Sequence, residues 1–145
     1  MQESLWQTDE LSSLENCHIC FYRNYFPQTE ADHFLLLLQE IRCKQNEIVV
    51  FGNKHLEPRE TALYGNPDIN YRYSGIEHKA ELWVPFLQEI RESIQIVTEV
   101  KFNSVLINRY RNEKDSVAWH SDDEPELGPS PTICSVSFGA SRKFQ

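Results

Sequence analysis

The chain has 145 residues, of which 40% are hydrophobic and 25% are charged, and its formal net charge is −8 at pH 7. This size and composition indicate one folded domain, and they exclude a disordered chain and a membrane-spanning segment. The acidic balance argues against a protein that coats nucleic acid through its bulk charge, but it leaves a local basic groove open.

The N-terminal residues carry no basic stretch followed by an apolar one, so we predict no signal peptide. The expected compartment is the cytoplasm, or the nucleus if the source is a eukaryote. The chain has four cysteines, and the run Cys17-His18-Ile19-Cys20 is typical of one half of a zinc site. No second close pair completes that site, so we expect reduced, partly buried thiols and no disulfide framework.

The first third of the chain predicts one strand and one helix. Residues 1–16 are polar and are expected to form an irregular lead-in. Residues 17–25 are rich in aromatic and β-favouring side chains, which predicts a short strand. A helix is expected from about Glu30 to Lys44, because apolar residues repeat there at helical spacing: Phe34, Leu37, Leu38 and Ile41.

The middle of the chain alternates extended segments with turns. Gly and Asn tolerate positive φ and Pro fixes its own φ, so clusters of these residues mark the turns. The second extended segment is expected to pair with the first. The predicted elements are a strand at Glu47–Phe51, a turn at Gly52-Asn53, an extended segment at Pro58–Tyr64, a turn at Gly65–Asp68 and a strand at Tyr71–Gly75.

A second helix is predicted from about Trp83 to Thr98, with Pro85 acceptable in its first turn because the missing N–H would be unpaired there. From Lys101 the hydrophobic period changes to two. One face of this strand carries Phe102, Leu106, Asn108 and Tyr110. Polar groups added to an apolar strand face are typical of a barrel strand that directs them into a cavity.

The last third predicts a polar turn, two strands, a rigid loop and the start of one more strand. These are Asn112–Asp115, Trp119–Asp122, Glu124–Pro131, Thr132–Phe138 and Arg142–Gln145. Helices early and strands late indicate an α+β fold, with helices supporting a mostly antiparallel sheet or jelly roll. A jelly roll needs eight strands, and the segments after Lys101 supply about half, which suggests a shortened barrel.

His120 and Asp122 are two residues apart, so both side chains leave the same face of an extended backbone. An imidazole and a carboxylate at that spacing can supply two of the three ligands of a 2-His-1-carboxylate iron(II) site. The pattern is short, and an exposed turn can carry it by chance. His120 is also the last histidine of the chain, so no third ligand of this type follows it.

Several short blocks in a fixed order carry a family resemblance. They are Val50-Phe51-Gly52, Pro58-Arg59, Tyr64-Gly65, Tyr71-Arg72-Tyr73-Ser74-Gly75, Phe102 to Tyr110, His120 to Glu124 and Ser135 to Ala140. Together they resemble the AlkB family of iron(II)- and 2-oxoglutarate-dependent nucleic-acid dealkylases, and most closely its double-stranded-DNA-repair homologues. The resemblance covers about Glu47 to Gln145.

The resemblance implies roles for particular residues. His120 and Asp122 would bind Fe(II), and Asn108 and Tyr110 would hydrogen-bond the co-substrate 2-oxoglutarate. Tyr73 and His120 would sandwich a flipped methylated base, and Phe51 would fill the space that the base leaves in the duplex. No separate catalytic residue is predicted. The expected substrate-binding residues are Phe51, Arg59, Tyr71, Tyr73, Asp123 and Glu124.

The resemblance also implies the architecture and the reaction. The expected architecture is a single AlkB-like domain over residues 1–145, with a jelly-roll core (double-stranded β-helix) supported by N-terminal helices and incomplete at the C-terminus. The expected reaction is oxidative demethylation of methylated DNA, with RNA as the alternative substrate, by a monomer that needs no membrane. The expected product besides the repaired base is formaldehyde.

One departure from the family pattern leaves alternatives open. The family's second iron-binding histidine and the arginines that pair with 2-oxoglutarate would follow Gln145, so we expect the 145-residue chain alone to be inactive. The first alternative is a catalytically incompetent fragment or pseudoenzyme that binds nucleic acid or a partner protein. The second is a related dioxygenase that acts on a protein or a small molecule.

Overall fold

A computed structural model of the protein describes residues 8–10, 19–67, 69–73, 76–120 and 127–143. Two compact units are formed: residues 1–39 with 137–145, and residues 40–136. Both helices and strands occur, so the α+β class predicted from the sequence agrees with the described residues. In the part of the chain that is described, no helix is both long enough and apolar enough to cross a membrane.

The first unit contains two short strands, one helix and an aromatic cluster. Strand β1 (Thr8–Glu10) pairs antiparallel with β2 (Cys20–Tyr22), and helix α1 spans Gln28–Glu40. Phe34 of α1 is only 2% exposed. Its ring centroid lies 5.3 Å from that of Phe26 and 5.9 Å from that of Phe138, and both pairs are edge-on. Edge-to-face rings at these distances attract each other beyond simple area burial.

The second unit begins with a two-stranded hairpin and continues with further short strands and one helix. These elements are β3 (Glu47–Val50), β4 (Asn53–Leu56), β5 (Glu60–Gly65), β6 (Asn70–Tyr73), β7 (Ile76–Lys79), β8 (Glu81–Leu82), α2 (Pro85–Thr98) and β9 (Ser104–Arg109). Strands β3 and β4 pair with each other, as do β6 and β7, while a three-stranded sheet has the order β8-β5-β9.

Helix α2 has the boundaries that its sequence predicts to within two residues. Pro85 occupies the start of the helix, where no intrahelical N–H donor is needed. Leu87 and Ile90 are buried. The helix ends at Thr98, and the following Glu99 adopts a left-handed φ of 55° while its N–H donates to the carbonyl of Gln95 at 3.0 Å.

The longest strand pair joins β5 to β9 in antiparallel register, from Glu60 opposite Arg109 to Gly65 opposite Ser104. An ion pair of 2.7 Å links the side chains of Arg109 and Glu60 at one end of the pair. At the other end, a Cβ added to Gly65 would lie 3.0 Å from the carbonyl oxygen of Asn103. Glycine is therefore the residue that allows the two backbones to approach so closely.

Several predicted boundaries and pairings are wrong. Helix α1 ends at Glu40 and not at Lys44, because the backbone N–H and C=O of Lys44 pair with those of Thr61, both at 2.8 Å. The lead-in is not wholly irregular, since it contains β1. The segment at Pro58–Tyr64 does not pair with the strand before it, because residues 53–56 already form that strand's partner.

The predicted strand at Thr132–Phe138 is also wrong, and the described parts of the other two predicted late strands lie in no strand. Residues 132–138 lie in no strand, and Trp119 and His120 lie in none either. A strand is defined by its pairing, and among the described residues no neighbouring backbone pairs with these segments. Residues 142 and 143 belong to no strand, and the rest of the predicted Trp119–Asp122 and Arg142–Gln145 strands lies outside the described residues.

None of the three described cysteines, Cys20, Cys43 and Cys134, is in a disulfide, and the partial burial predicted for them is found at Cys43 and Cys134. Cys20 is exposed, whereas burial raises the pKa of Cys43 and of Cys134 above its ordinary value. Only the thiolate is a nucleophile, so a raised pKa and restricted access both slow alkylation. We expect Cys20 to react with iodoacetamide at about pH 8 well before Cys43 and Cys134. Mass spectrometry of timed digests measures the order, and equal rates for the three thiols would contradict it.

Candidate functional site

His120 is the metal-ligand candidate that the structure describes. It follows Ala118 and Trp119 in an exposed segment, and its Nδ1 lies 2.8 Å from the carbonyl oxygen of Ala118. A carbonyl oxygen only accepts hydrogen bonds, so a neutral imidazole in this position carries its proton on Nδ1. A hydrogen bond from one ring nitrogen to a carbonyl fixes the tautomer and the orientation of an imidazole, as is common for histidines that bind a metal ion through the other nitrogen.

The partners predicted for His120 lie outside the described residues. Asp122, the second predicted iron ligand, and the substrate candidates Asp123 and Glu124 all fall within residues 121–126. Within the described ranges no group of three or more His, Cys, Asp or Glu side chains could hold a metal ion. The donor chemistry of His120 nevertheless suits iron(II), because a neutral imidazole is a regular ligand of that ion.

The two residues predicted to bind 2-oxoglutarate lie at the end of β9. Asn108 is opposite Thr61 of β5 and is exposed, and Tyr110 follows the strand and is half-buried. The alternation of the strand agrees with the prediction. The face that carries Leu106 and Asn108 is the exposed one, whereas Val105 and Ile107 are half-buried. The sequence predicted that this face points into a cavity. The described residues do not enclose it in one.

Phe51 occupies the tip of the β3–β4 hairpin and is 100% exposed. Val50 pairs with Asn53, so Phe51 and Gly52 form a two-residue loop, and both have positive φ, 49° and 78°. Such loops favour Asn-Gly or Asp-Gly, because left-handed φ is costly for a side chain such as phenylalanine. A strained aromatic residue without any packing to compensate it points to selection for something other than stability.

The remaining substrate candidates divide into two groups. Tyr71 and Tyr73 belong to β6, whose backbone places them opposite His78 and Ile76 of β7. Arg59 is only 4% exposed, and its Nη2 lies 3.3 Å from Oε1 of Glu57, which is equally buried. Burying an ion pair requires good partners on both sides, so this pair belongs to the interior of the second unit. A contact of Arg59 with substrate stays a prediction.

A polar network near these candidates was not predicted from the sequence. Asp115 is 4% exposed and receives hydrogen bonds from Arg111, whose pKa is raised by this interaction. Glu57 accepts from the amide of Asn46 at 2.9 Å, and the carbonyl of Glu57 accepts from Gln45 at 2.7 Å. Arg111 and Asp115 carry opposite charges at the two ends of the predicted polar turn, which is the sequence signal that could have indicated their pairing.

The class of protein follows from comparison with known families. Residues 18–145 match the 2OG-Fe(II) oxygenase superfamily, so this chain belongs to that superfamily. The resemblance to AlkB proteins is confirmed by individual relatives. The chain is 43% identical over 129 residues to the human alpha-ketoglutarate-dependent dioxygenase alkB homolog 3, a match that covers 88% of this chain and 44% of that protein.

Two further relatives are called DNA oxidative demethylase ALKBH2. The human protein is 41% identical over 129 residues, covering 86% of this chain and 49% of the relative. The Arabidopsis thaliana protein is 43% identical over 131 residues, covering 87% of this chain and 42% of the relative. The chain thus spans about half the length of the curated relatives that it matches.

Proposed function

We propose that the protein is an iron(II)- and 2-oxoglutarate-dependent dioxygenase that removes N-methyl groups from nucleobases in DNA, with RNA as the alternative substrate. The observation that carries this proposal is the match of residues 18–145 to the 2OG-Fe(II) oxygenase superfamily, a range that contains the proposed iron ligand His120. The contact of His120 Nδ1 with the Ala118 carbonyl, which orients the ring, and the names of the relatives support the same assignment. We further propose a single domain with a jelly-roll core.

The proposed cofactor site uses His120 and Asp122 as iron ligands. Bound iron(II) would supply the centre at which O₂ oxidises both 2-oxoglutarate and the methyl group of the substrate. Asn108 and Tyr110 would hold 2-oxoglutarate, since an amide N–H and a phenol O–H both donate hydrogen bonds to carboxylate oxygens. Asn108 lies near the end of β9 and Tyr110 directly follows that strand. The chain then leads on to His120.

The proposed substrate site places the hairpin tip against the duplex. Phe51 would enter the base stack after the methylated base has been extruded, which offsets part of the cost of unstacking. Its full exposure and its strained φ both support this role. Tyr71, Tyr73, Asp123 and Glu124 would line the base pocket, with Tyr73 and His120 stacking on the two faces of the base. Arg59 would support the loop beside the hairpin from its buried position.

Turnover on methylated DNA tests the proposal. The 145-residue chain and a form extended at the C-terminus are each given iron(II), ascorbate, 2-oxoglutarate and a methylated oligonucleotide. We expect formaldehyde and succinate in equal amounts from the extended form, and neither without 2-oxoglutarate. Succinate without formaldehyde on any methylated strand would favour an oxygenase of a different substrate class. DNA binding without either product would favour the pseudoenzyme alternative.

Replacing Phe51 with asparagine should raise the stability of the hairpin and lower the activity on duplex DNA. Asparagine tolerates left-handed φ, so we expect the hairpin to gain up to about 1 kcal/mol of stability. The loss of the aromatic wedge removes base stacking worth about 1–3 kcal/mol, so turnover on duplex DNA should fall by about 5- to 150-fold. Turnover on single-stranded DNA should change little, because no stack has to be opened.

The matched control for Phe51 is Leu56, another exposed apolar residue of the same hairpin, which is 60% exposed and lies away from the tip. Leu56→Ala should leave the ratio of duplex to single-strand turnover unchanged. Rates on both substrates, together with urea unfolding curves, provide the measurement. An unchanged duplex rate in the Phe51→Asn variant would remove Phe51 from the proposed substrate site.

A further inference from the structure

A buried carboxylate closes the turn between Tyr110 and His120. Asp115 is 4% exposed, and Arg111 gives it three hydrogen bonds: from the backbone N–H at 2.9 Å, from Nε at 2.8 Å and from Nη2 at 2.9 Å. The N–H of Asp115 itself donates to the carbonyl of Asn112 at 3.2 Å. Both carboxylate oxygens are used, and a two-pronged Arg–carboxylate contact fixes direction as well as distance. The turn is therefore held in one conformation.

The same turn is tied to both ends of the β3–β4 hairpin. Nη1 of Arg111 donates to the side-chain oxygen of Gln45 at 3.3 Å, and Nε2 of Gln45 donates to the carbonyl of Glu57 at 2.7 Å. Just after the turn, the N–H of Ser116 donates to the carbonyl of Pro58 at 2.7 Å. Gln45 precedes the hairpin, and Glu57 and Pro58 follow it. The base of the hairpin and the turn thus share one hydrogen-bonded network.

The residues that follow this anchor lead directly to the proposed iron ligand. Residues 116–120 are exposed and belong to no helix or strand. A segment without a regular hydrogen-bonded ladder takes its position from the points at which it is anchored. The tie from Ser116 to Pro58 is such a point, and the contact between Ala118 and His120 lies within four residues of it.

We propose that Asp115 is a positioning residue, which acts through Arg111 and Ser116 to hold the iron-ligand segment against the base of the hairpin and so to keep the Nδ1–H of His120 on the Ala118 carbonyl. This inference rests on the proposed function, in which His120 binds iron and the hairpin contacts DNA. It adds a second consequence: the metal ligand and the Phe51 hairpin share the Gln45 link, so a disturbance of the network reaches both.

The imidazole tautomer tests the positioning role without metal or activity. Long-range ¹H–¹⁵N spectra of the metal-free protein distinguish a proton on Nδ1 from one on Nε2. They are recorded at about pH 8.5, above the ordinary imidazole range. We expect the Nδ1–H form in the wild type and a mixture in Asp115→Ala, together with faster amide exchange at Ser116. Glu113→Gln, on an exposed residue of the same turn, is the matched control and should keep the wild-type spectrum.

A milder variant keeps the test decisive if Asp115→Ala does not fold. Arg111→Lys retains the positive charge but replaces the planar fork by a single ammonium group, which cannot satisfy both carboxylate oxygens in the same way. It should shift the tautomer ratio in the same direction. A wild-type tautomer ratio and wild-type Ser116 exchange in a folded Asp115→Ala or Arg111→Lys protein would overturn the positioning role.

Metal affinity separates this inference from the proposed function. Co(II) titration of the C-terminally extended protein, followed by its visible absorption, should show about 10- to 100-fold weaker binding in Asp115→Ala than in Glu113→Gln. Absence of Co(II) binding in the wild type, with the tautomer shift still present in the variant, would reject the iron site and leave the positioning of His120 intact. Equal Co(II) affinity in wild type and variant would reject the link from Asp115 to the metal.

Discussion

Replacing His120 with alanine is expected to reduce demethylation to the background measured without enzyme. In the proposed site, His120 supplies one of the few protein ligands of iron, so its loss removes more than the 10- to 100-fold that is typical for a partner of a ligand. The side chain is exposed and packs little, so the substitution should leave the free energy of unfolding within about 0.5 kcal/mol of the wild type. A stable but inactive variant is the expected result.

The control for this experiment is His33→Ala, which removes another exposed histidine, on helix α1. That variant should retain both Co(II) affinity and turnover. Measurements of formaldehyde release and Co(II) binding, made side by side on both variants, separate loss of metal from loss of fold. Normal turnover by the His120→Ala protein would contradict the assignment of His120 as an iron ligand.

Phe34→Ala is expected to cause the largest loss of stability. Phe34 is the least exposed residue of the aromatic cluster with Phe26 and Phe138, and its ring contacts both. Truncation of a buried phenylalanine typically costs about 3–5 kcal/mol, through lost burial and the cavity that remains. A small domain has only about 5–15 kcal/mol of stability in total, so the variant should unfold at much lower urea concentration.

Leu36→Ala provides the comparison within the same helix. Leu36 lies two residues from Phe34 but is 62% exposed, so its truncation should change the free energy of unfolding by less than about 1 kcal/mol. Both substitutions introduce alanine into the helix, which removes helix propensity as an explanation for the difference. Similar urea midpoints for the two variants would show that the aromatic cluster does not stabilise the first unit.

The parts of the fold that depend on local sequence are predictable. Helix α2 follows from the spacing of its apolar residues and from Pro85 at its start, and its observed end at Thr98 is the predicted one. The strands at Glu47–Val50 and Asn70–Tyr73 also follow from local composition. These features depend on residues a few positions apart, so they can be predicted from the sequence alone.

The parts of the fold that depend on residues distant in the sequence are not predictable in this way. Lys44 leaves the helical pattern because Thr61 pairs with it, and nothing near Lys44 in the sequence signals that pairing. Residues 132–138 have the composition of a strand, yet composition does not provide a neighbouring backbone with which to pair. In this protein the sequence therefore predicts the helices more reliably than the strands.

The candidate site shows the same division. The spacing of His120 and Asp122 predicted a metal site only together with the family blocks, which also suggested the roles of Phe51 and Asn108. The tautomer of His120 depends on a carbonyl two residues away, and its anchoring depends on Asp115, Gln45 and Pro58. Residues that act through hydrogen bonds between positions as far as 66 residues apart carry no pattern that a single sequence reveals.

The central claim is tested most directly by the mass of a methylated duplex oligonucleotide before and after incubation with the C-terminally extended protein, iron(II), O₂ and 2-oxoglutarate. We predict a mass lower by one CH₂ unit for each repaired base, only when all components are present, and no such change with the His120→Ala variant. An unchanged mass with the active components, while Co(II) and 2-oxoglutarate bind normally, would contradict the assignment of this protein as a DNA demethylase.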